Sequence, residues 1–274
     1  MRKLLVTLIC VCALMPFGAF GQALIIDHNC TDISKIQPQQ IEKAKAEFKV
    51  AYGHTSHGSQ VVAGMSAMAK ANPELFAFGR NGGPRTLSLF DNTPPGDLGN
   101  PDRTTWAERT RSFLKNEGRD RNLIMWSWCG QVGSASEQDI KTYLGLMAAL
   151  EKEFPKVKFV YMTGHLDGSG QTGNLNRRNE QIRDFCRSNG KILFDFADIE
   201  SYAPGGKINY MELFANDSCD YKGGNWAEEF LSSNPAYKID LPNDAAHTRP
   251  LNGALKGRAF WWMLAKLAAP GSSR

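Results

Sequence analysis

The chain lacks most features that would settle its class at once. Of its 274 residues only 22% are charged, and 32 Lys+Arg stand against 28 Asp+Glu, a net charge of +4. So small and evenly spread an excess excludes a dedicated nucleic-acid surface. There is no fixed-period repeat and no low-complexity tract, which excludes solenoids and propellers. No HExxH or CxxC is present, so no compact metal-ligand motif can be read. No Gly-x-Ser-x-Gly occurs either, which removes the nucleophile elbow of α/β-hydrolases. One long apolar run exists, at residues 4–17, and it falls short of the roughly 20 residues a membrane span needs.

That run has a reading of its own. Arg2 and Lys3 precede it, and Gly18, Ala19, Gly21 and Ala23 follow. A basic start, a short apolar stretch and small residues near a cut site predict a signal peptide over 1–22. The expectation is therefore an exported protein, secreted or periplasmic, free of the membrane after cleavage. Loss of Arg2 and Lys3 would lower the charge from +4 to +2. Loss of Cys10 and Cys12 would leave Cys30, Cys129, Cys186 and Cys219, which an oxidising compartment allows to pair or to remain as buried thiols. Asn29-Cys30-Thr31 and Asn216-Asp217-Ser218 fit the glycosylation sequon.

The remaining 23–274 alternate between two periodicities. Strands are predicted at 48–52, 86–90, 122–128, 157–163 and 191–196. Between them lie helical stripes: Val61, Val62, Met65 and Met68; Trp106, Thr110, Phe113 and Leu114; then Ile140, Tyr143, Leu144, Met147 and Leu150 behind a capping box at 136–139. Ile182, Phe185 and Cys186 mark another helix, and the last starts near Pro250. Residues 200–243 read as irregular. Strands separated by helices imply βαβ units, hence one α/β domain: a three-layer α/β/α sandwich with a mostly parallel sheet. Ligands of such sheets bind beyond the carboxyl ends of the strands.

The chemistry-bearing residues gather at those ends. His54, Ser56 and His57 follow the first predicted strand, Cys129 and Gln131 the third, and His165 and Asp167 the fourth; Asp244 and His247 precede the final helix. Ser56, on a Gly-flanked turn at the head of a helix, is the candidate nucleophile, ahead of Ser59, and its plainer alternative is a helix N-cap. In Asp244-Ala245-Ala246-His247 a carboxylate three residues before an imidazole can orient it as a base.

With these residues the chain resembles the SGNH/GDSL hydrolase superfamily over about residues 48–268. His54-Thr55-Ser56 stands where that family has Gly-Asp-Ser, and Gln131 stands where it has Asn. The resemblance implies a flavodoxin-like fold and ester hydrolysis through an acyl-enzyme. Ser56 would be the nucleophile, His247 the base and Asp244 its orienter, with Gly99 (in preference to Gly96) and Gln131 as oxyanion donors. No cofactor or metal would be required. The substrate would be a small-molecule or polysaccharide ester, carrying O-acyl or methyl groups. His54, His57, His165 and Arg249 are the candidate substrate-binding residues, and Trp126, Trp128 and Trp226 are either sugar-stacking faces or core. Two rival classes remain. The histidines, with Asp167 or Asp244, could instead bind a metal, and the fold could serve as a catalytically silent carbohydrate-binding domain.

Overall fold

Near-continuous apolar runs such as Leu123–Trp126 suit strands covered on both faces, and that is where they lie. The computed structural model describes residues 21–238 and 240–269. Residues 1–20 of the expected export segment, with Cys10 and Cys12, lie outside the described residues.

In chain order the elements are β1 (Leu24–Ile26), α1 (Pro38–Glu47), β2 (Lys49–Gly53), α2 (Ser59–Ala71), α3 (Pro73–Phe76), β3 (Phe78–Gly79), β4 (Leu87–Asp91) and α4 (Thr105–Lys115). They continue with β5 (Leu123–Trp126), α5 (Glu137–Glu153), β6 (Lys158–Met162), α6 (Asn174–Ser188), β7 (Ile192–Phe194) and α7 (Phe196–Ile199). After α7 come the short hairpin β8 (Asp220–Tyr221) and β9 (Gly224–Asn225), then α8 (Trp226–Ser233) and α9 (Pro250–Leu267). One seven-stranded sheet has the order β1-β7-β6-β5-β2-β4-β3, and every neighbouring pair is parallel. With helices flanking it, this is the expected α/β architecture.

The differences from the sequence reading are local. The sheet gains two short edge strands, β1 and β3, which are too brief to show a period. Residues 200–243, read as irregular, hold α8; Asn225 caps it, its side chain accepting from the Glu228 N–H. The strand expected over 122–128 stops at Trp126, freeing Ser127, Trp128 and Cys129 to turn over the sheet edge. The capping box of α5 is present: Ser136 Oγ accepts from the Asp139 N–H at 3.1 Å, and Asp139 Oδ2 accepts from the Ser136 N–H at 2.8 Å. Trp126, Trp128 and Trp226 are all core residues, so none offers a face to a sugar.

Two features of the packing place the site. From β2 the chain moves toward β4 and β3 on one side, while from β5 it moves toward β6, β7 and β1 on the other. β2 and β5 are adjacent, and their connections leave in opposite directions, which opens a crevice at their carboxyl ends. Below it, α2 and α9 lie backbone to backbone. A Cβ on Gly64 would stand 2.1 Å from the Gly253 carbonyl oxygen, and one on Gly257 would stand 2.4 Å from the Gly64 carbonyl carbon. Neither contact can relax by moving a side chain.

Gly64→Ala is therefore expected to destabilise the fold by about 2–3 kcal/mol. Gly145→Ala, on an exposed turn of α5 with nothing within 4 Å of the new Cβ, should instead stabilise it by roughly 0.5–1 kcal/mol. Thermal denaturation of the two variants checks both signs. A Gly64→Ala protein that melts with wild type would mean the helices part freely.

Candidate functional site

All five histidines lie beyond carboxyl ends of strands or just before α9. His54, leaving β2, is nearly buried. Its Nδ1–H donates to the Thr55 carbonyl at 2.8 Å, and its Nε2 lies 2.7 Å from Asp91 Oδ1 at the end of β4. With both nitrogens engaged and its ring against Tyr52, His54 ties two strand ends together and offers nothing to a substrate.

His57 is placed very differently. Its Nδ1 is 3.0 Å from Cys129 Sγ, just past β5, and its Nε2 is 3.0 Å from Asp217 Oδ2. Its ring is stacked on both sides, by His165 at 3.8 Å and by His247 at 4.5 Å between centroids. Burial pushes His57 down, the Asp217 hydrogen bond pulls it back up, and the His165 and His247 charges push it down again; the net position is below the ordinary 6.5. For Asp217 burial acts upward, but the hydrogen bond from His57 and the positive field of His165 and His57 outweigh it, so its carboxyl sits below the ordinary 3.8. At neutral pH a neutral imidazole thus faces an ionised carboxylate. Its Nε2–H donates to Asp217, which leaves the Nδ1 lone pair directed at the Cys129 thiol.

Ser56 is half-buried, and its Oγ is 3.7 Å from Cys129 Sγ. It does not cap α2, whose N-cap position falls on Gly58. His247 has a left-handed backbone, φ 62°, and its carbonyl accepts from Ser218 Oγ at 3.1 Å. Asp244 is exposed, and among the described residues no hydrogen bond joins Asp244 to His247, or His247 to Ser56. Arg249 is half-exposed and paired with Glu228 at 3.0 Å.

Gly99 and Gln131 do come together, but around a carboxylate of the chain itself. The Gly99 N–H donates to Asp97 Oδ1 at 3.2 Å, and Gln131 Nε2 donates to Asp97 Oδ2 at 2.8 Å. Gln131 Oε1 meanwhile accepts from the Cys129 N–H at 3.0 Å. Asp97 and Gln131 therefore set the backbone that carries the thiol.

A metal fits this cluster poorly. One ligand atom each of His57, His165 and Asp217 lies within 4.8 Å of the others. His165 Nδ1–H, however, donates to the Leu166 carbonyl at 2.8 Å, and its ring is within 6° of parallel with His57. Imidazole lone pairs lie in the ring plane, so two stacked rings do not converge on one ion. A second group, Asp27, His28 and Asp198, is closed by an ion pair with His28 Nδ1 2.5 Å from Asp198 Oδ1.

Sequence reasoning missed Cys129 and Asp217 as site residues. The sequence places Cys129 at a strand end, as it does Ser56, but gives no local sign that its thiol faces His57. All four described cysteines are free thiols; three are buried, with Cys30 and Cys219 pushed up to about 12. Asp217 carried no signal beyond its place in a sequon. Comparison with protein-family models, curated proteins and solved structures gives no match for this chain.

Asp217→Asn removes the two influences of Asp217 that raise His57, its hydrogen bond and its charge. The His57 titration midpoint, followed by NMR of the imidazole protons, is expected to fall further below 6.5. A midpoint that stays or rises would show that Asp217 does not govern this ring.

Proposed function

We propose that the protein is an acyl-ester hydrolase working through a thioester on Cys129, with His57 as base and Asp217 as its orienter. The observation that carries this reading is the single imidazole held 3.0 Å from a thiol on one side and 3.0 Å from a carboxylate on the other. Nucleophile, base and orienter within hydrogen-bond reach, in that order, are what covalent acyl transfer requires.

In this mechanism the Cys129 Sγ–H proton passes to His57 Nδ1 as sulfur attacks the ester carbonyl carbon. The carbon–oxygen bond to the alcohol then breaks, and the departing oxygen takes the proton from His57. Water attacks the thioester next, again losing a proton to Nδ1. The carbon–sulfur bond breaks, sulfur recovers that proton, and the acid leaves. Asp217 stays ionised throughout and stabilises the imidazolium each time it forms.

Ester substrates and an SGNH-hydrolase-like architecture are retained from the sequence resemblance, as is export. On that basis the substrate is an O-acyl or methyl ester on an extracytoplasmic carbohydrate. The closeness of Ser56 favours a second reading, in which Ser56 is the nucleophile and Cys129 its neighbour.

Turnover of a small aryl ester separates the two. Cys129→Ala is expected to lose about 10³-fold or more in kcat, while Ser56→Ala stays within about tenfold of wild type. Iodoacetamide should alkylate Cys129 and block turnover, with the adduct located by peptide mass. Wild-type activity in Cys129→Ala overturns the thiol mechanism; if Ser56→Ala is then inactive, the serine reading stands.

A further inference from the structure

Beneath the site lies an ion pair without access to water. Lys256 on α9 and Glu200, just after α7, both have fully buried side chains, and Nζ is 2.6 Å from Oε2. From this pair, hydrogen bonds run to the segments that carry His165, Asp217, His247 and His57; the Cys129 segment is held separately, through Gln131.

Glu200 Oε1 accepts from the Leu166 N–H, next to His165. Glu200 Oε2 takes Asn252 Nδ2 at 3.3 Å, and the same Nδ2 reaches Thr248 Oγ1 at 2.8 Å and the Asp217 carbonyl at 3.4 Å. Thr248, beside His247, also donates to the Asp217 carbonyl. On the other side Lys256 Nζ donates to Gln60 Oε1, one turn along the chain from His57. Gln60 Nε2 then donates to the Ala246 carbonyl at 2.6 Å, again next to His247.

A buried ammonium and carboxylate are poor devices for stability, since removing both from water costs about as much as their attraction returns. What such a pair does supply is direction, because each charge fixes several hydrogen bonds at set angles. We propose that Lys256 and Glu200 are positioning residues of the site: their ion pair sets the loops of His165, Asp217 and His247 against α2 so that Asp217 meets His57 Nε2.

The proposal rests on the thiol-hydrolase reading for its activity measurement but not for its spectroscopic one. The double variant Lys256→Met/Glu200→Gln removes both charges together, so no lone ion is left buried, and the glutamine still accepts from the Leu166 N–H. It is expected to fold with a cooperative melt, and kcat on the aryl ester should fall about 10- to 100-fold while KM stays within about twofold. The downfield proton signal of the His57 Nε2–H, held by Asp217, should weaken or vanish in the absence of any substrate.

A folded double variant that keeps both wild-type kcat and that signal overturns the proposal. Should the double variant not fold, Asn252→Ser carries the test. It cuts the link from Glu200 to the Asp217 carbonyl and leaves the ion pair in place. A fall of about threefold or more in kcat with weakening of the His57 signal is expected there, and no change in either overturns the proposal. If Cys129→Ala proves fully active, the thiol reading fails while the His57 signal still reports on positioning.

Discussion

The contact between α2 and α9 at Gly64, Gly253 and Gly257 is the constraint on which the site depends. Side chains normally hold packed helices 8–10 Å apart, and only residues without a Cβ let their backbones touch. The close crossing fixes where each helix begins. α2 starts just after His57, and α9 starts just after His247, so one contact brings the two imidazoles into the same stack. It also brings Gln60 within reach of Lys256 and of the Ala246 carbonyl. A wider separation would leave Lys256 buried with one partner fewer and would part His247 from His57.

The sheet supplies the other half of the geometry. Cys129 and His57 stand 72 residues apart in sequence, yet they leave neighbouring strands at the point where the connections diverge. The hydrogen bond from the Ser127 N–H to the Gly53 carbonyl, at 2.9 Å, carries the pairing of β2 and β5 one step past the strands. Asp217 comes from outside this frame, on the segment between α7 and α8. Its carbonyl is held from α9 by Asn252 and from just before it by Thr248, which leaves the carboxylate to His57. The work is divided accordingly: the sheet brings Cys129 and His57 together, and α9 delivers Asp217.

That division explains what could be read from the chain. Strand and helix periods are local, so the α/β alternation and the collection of His54, Ser56, His57, Cys129 and His165 at one edge were legible without coordinates. The pairings among them were not. Ser56 and His57 are adjacent, and no local pattern distinguishes which of them faces the crevice as the reactive group. Asp244 and His247 have a spacing that allows an Asp–His pair, but His247 adopts a left-handed backbone and turns its ring onto His57. Gly99 and Gln131 were expected together and are together; that Asp97 would lie between them depends on the path of a Pro- and Gly-rich loop. Asp217 lies in a stretch without period, and its role follows only from tertiary contacts.

The imidazole stack adds an electrostatic consequence. Three rings placed face to face cannot all carry charge at small cost, since at 3.8 Å even a well-screened pair of like charges repels by about 1 kcal/mol. Burial of the central ring acts in the same sense, and Asp217 alone opposes both. A neutral His57 is thus the resting state, and a proton taken from Cys129 would convert it to a cation that only Asp217 stabilises. Burial, and any charge on a flanking ring, makes that cation costly, which favours prompt return of the proton to a departing alcohol or to sulfur. The same arrangement that keeps His57 available as a base would then drive it to act as an acid, so each step of the proposed cycle prepares the next.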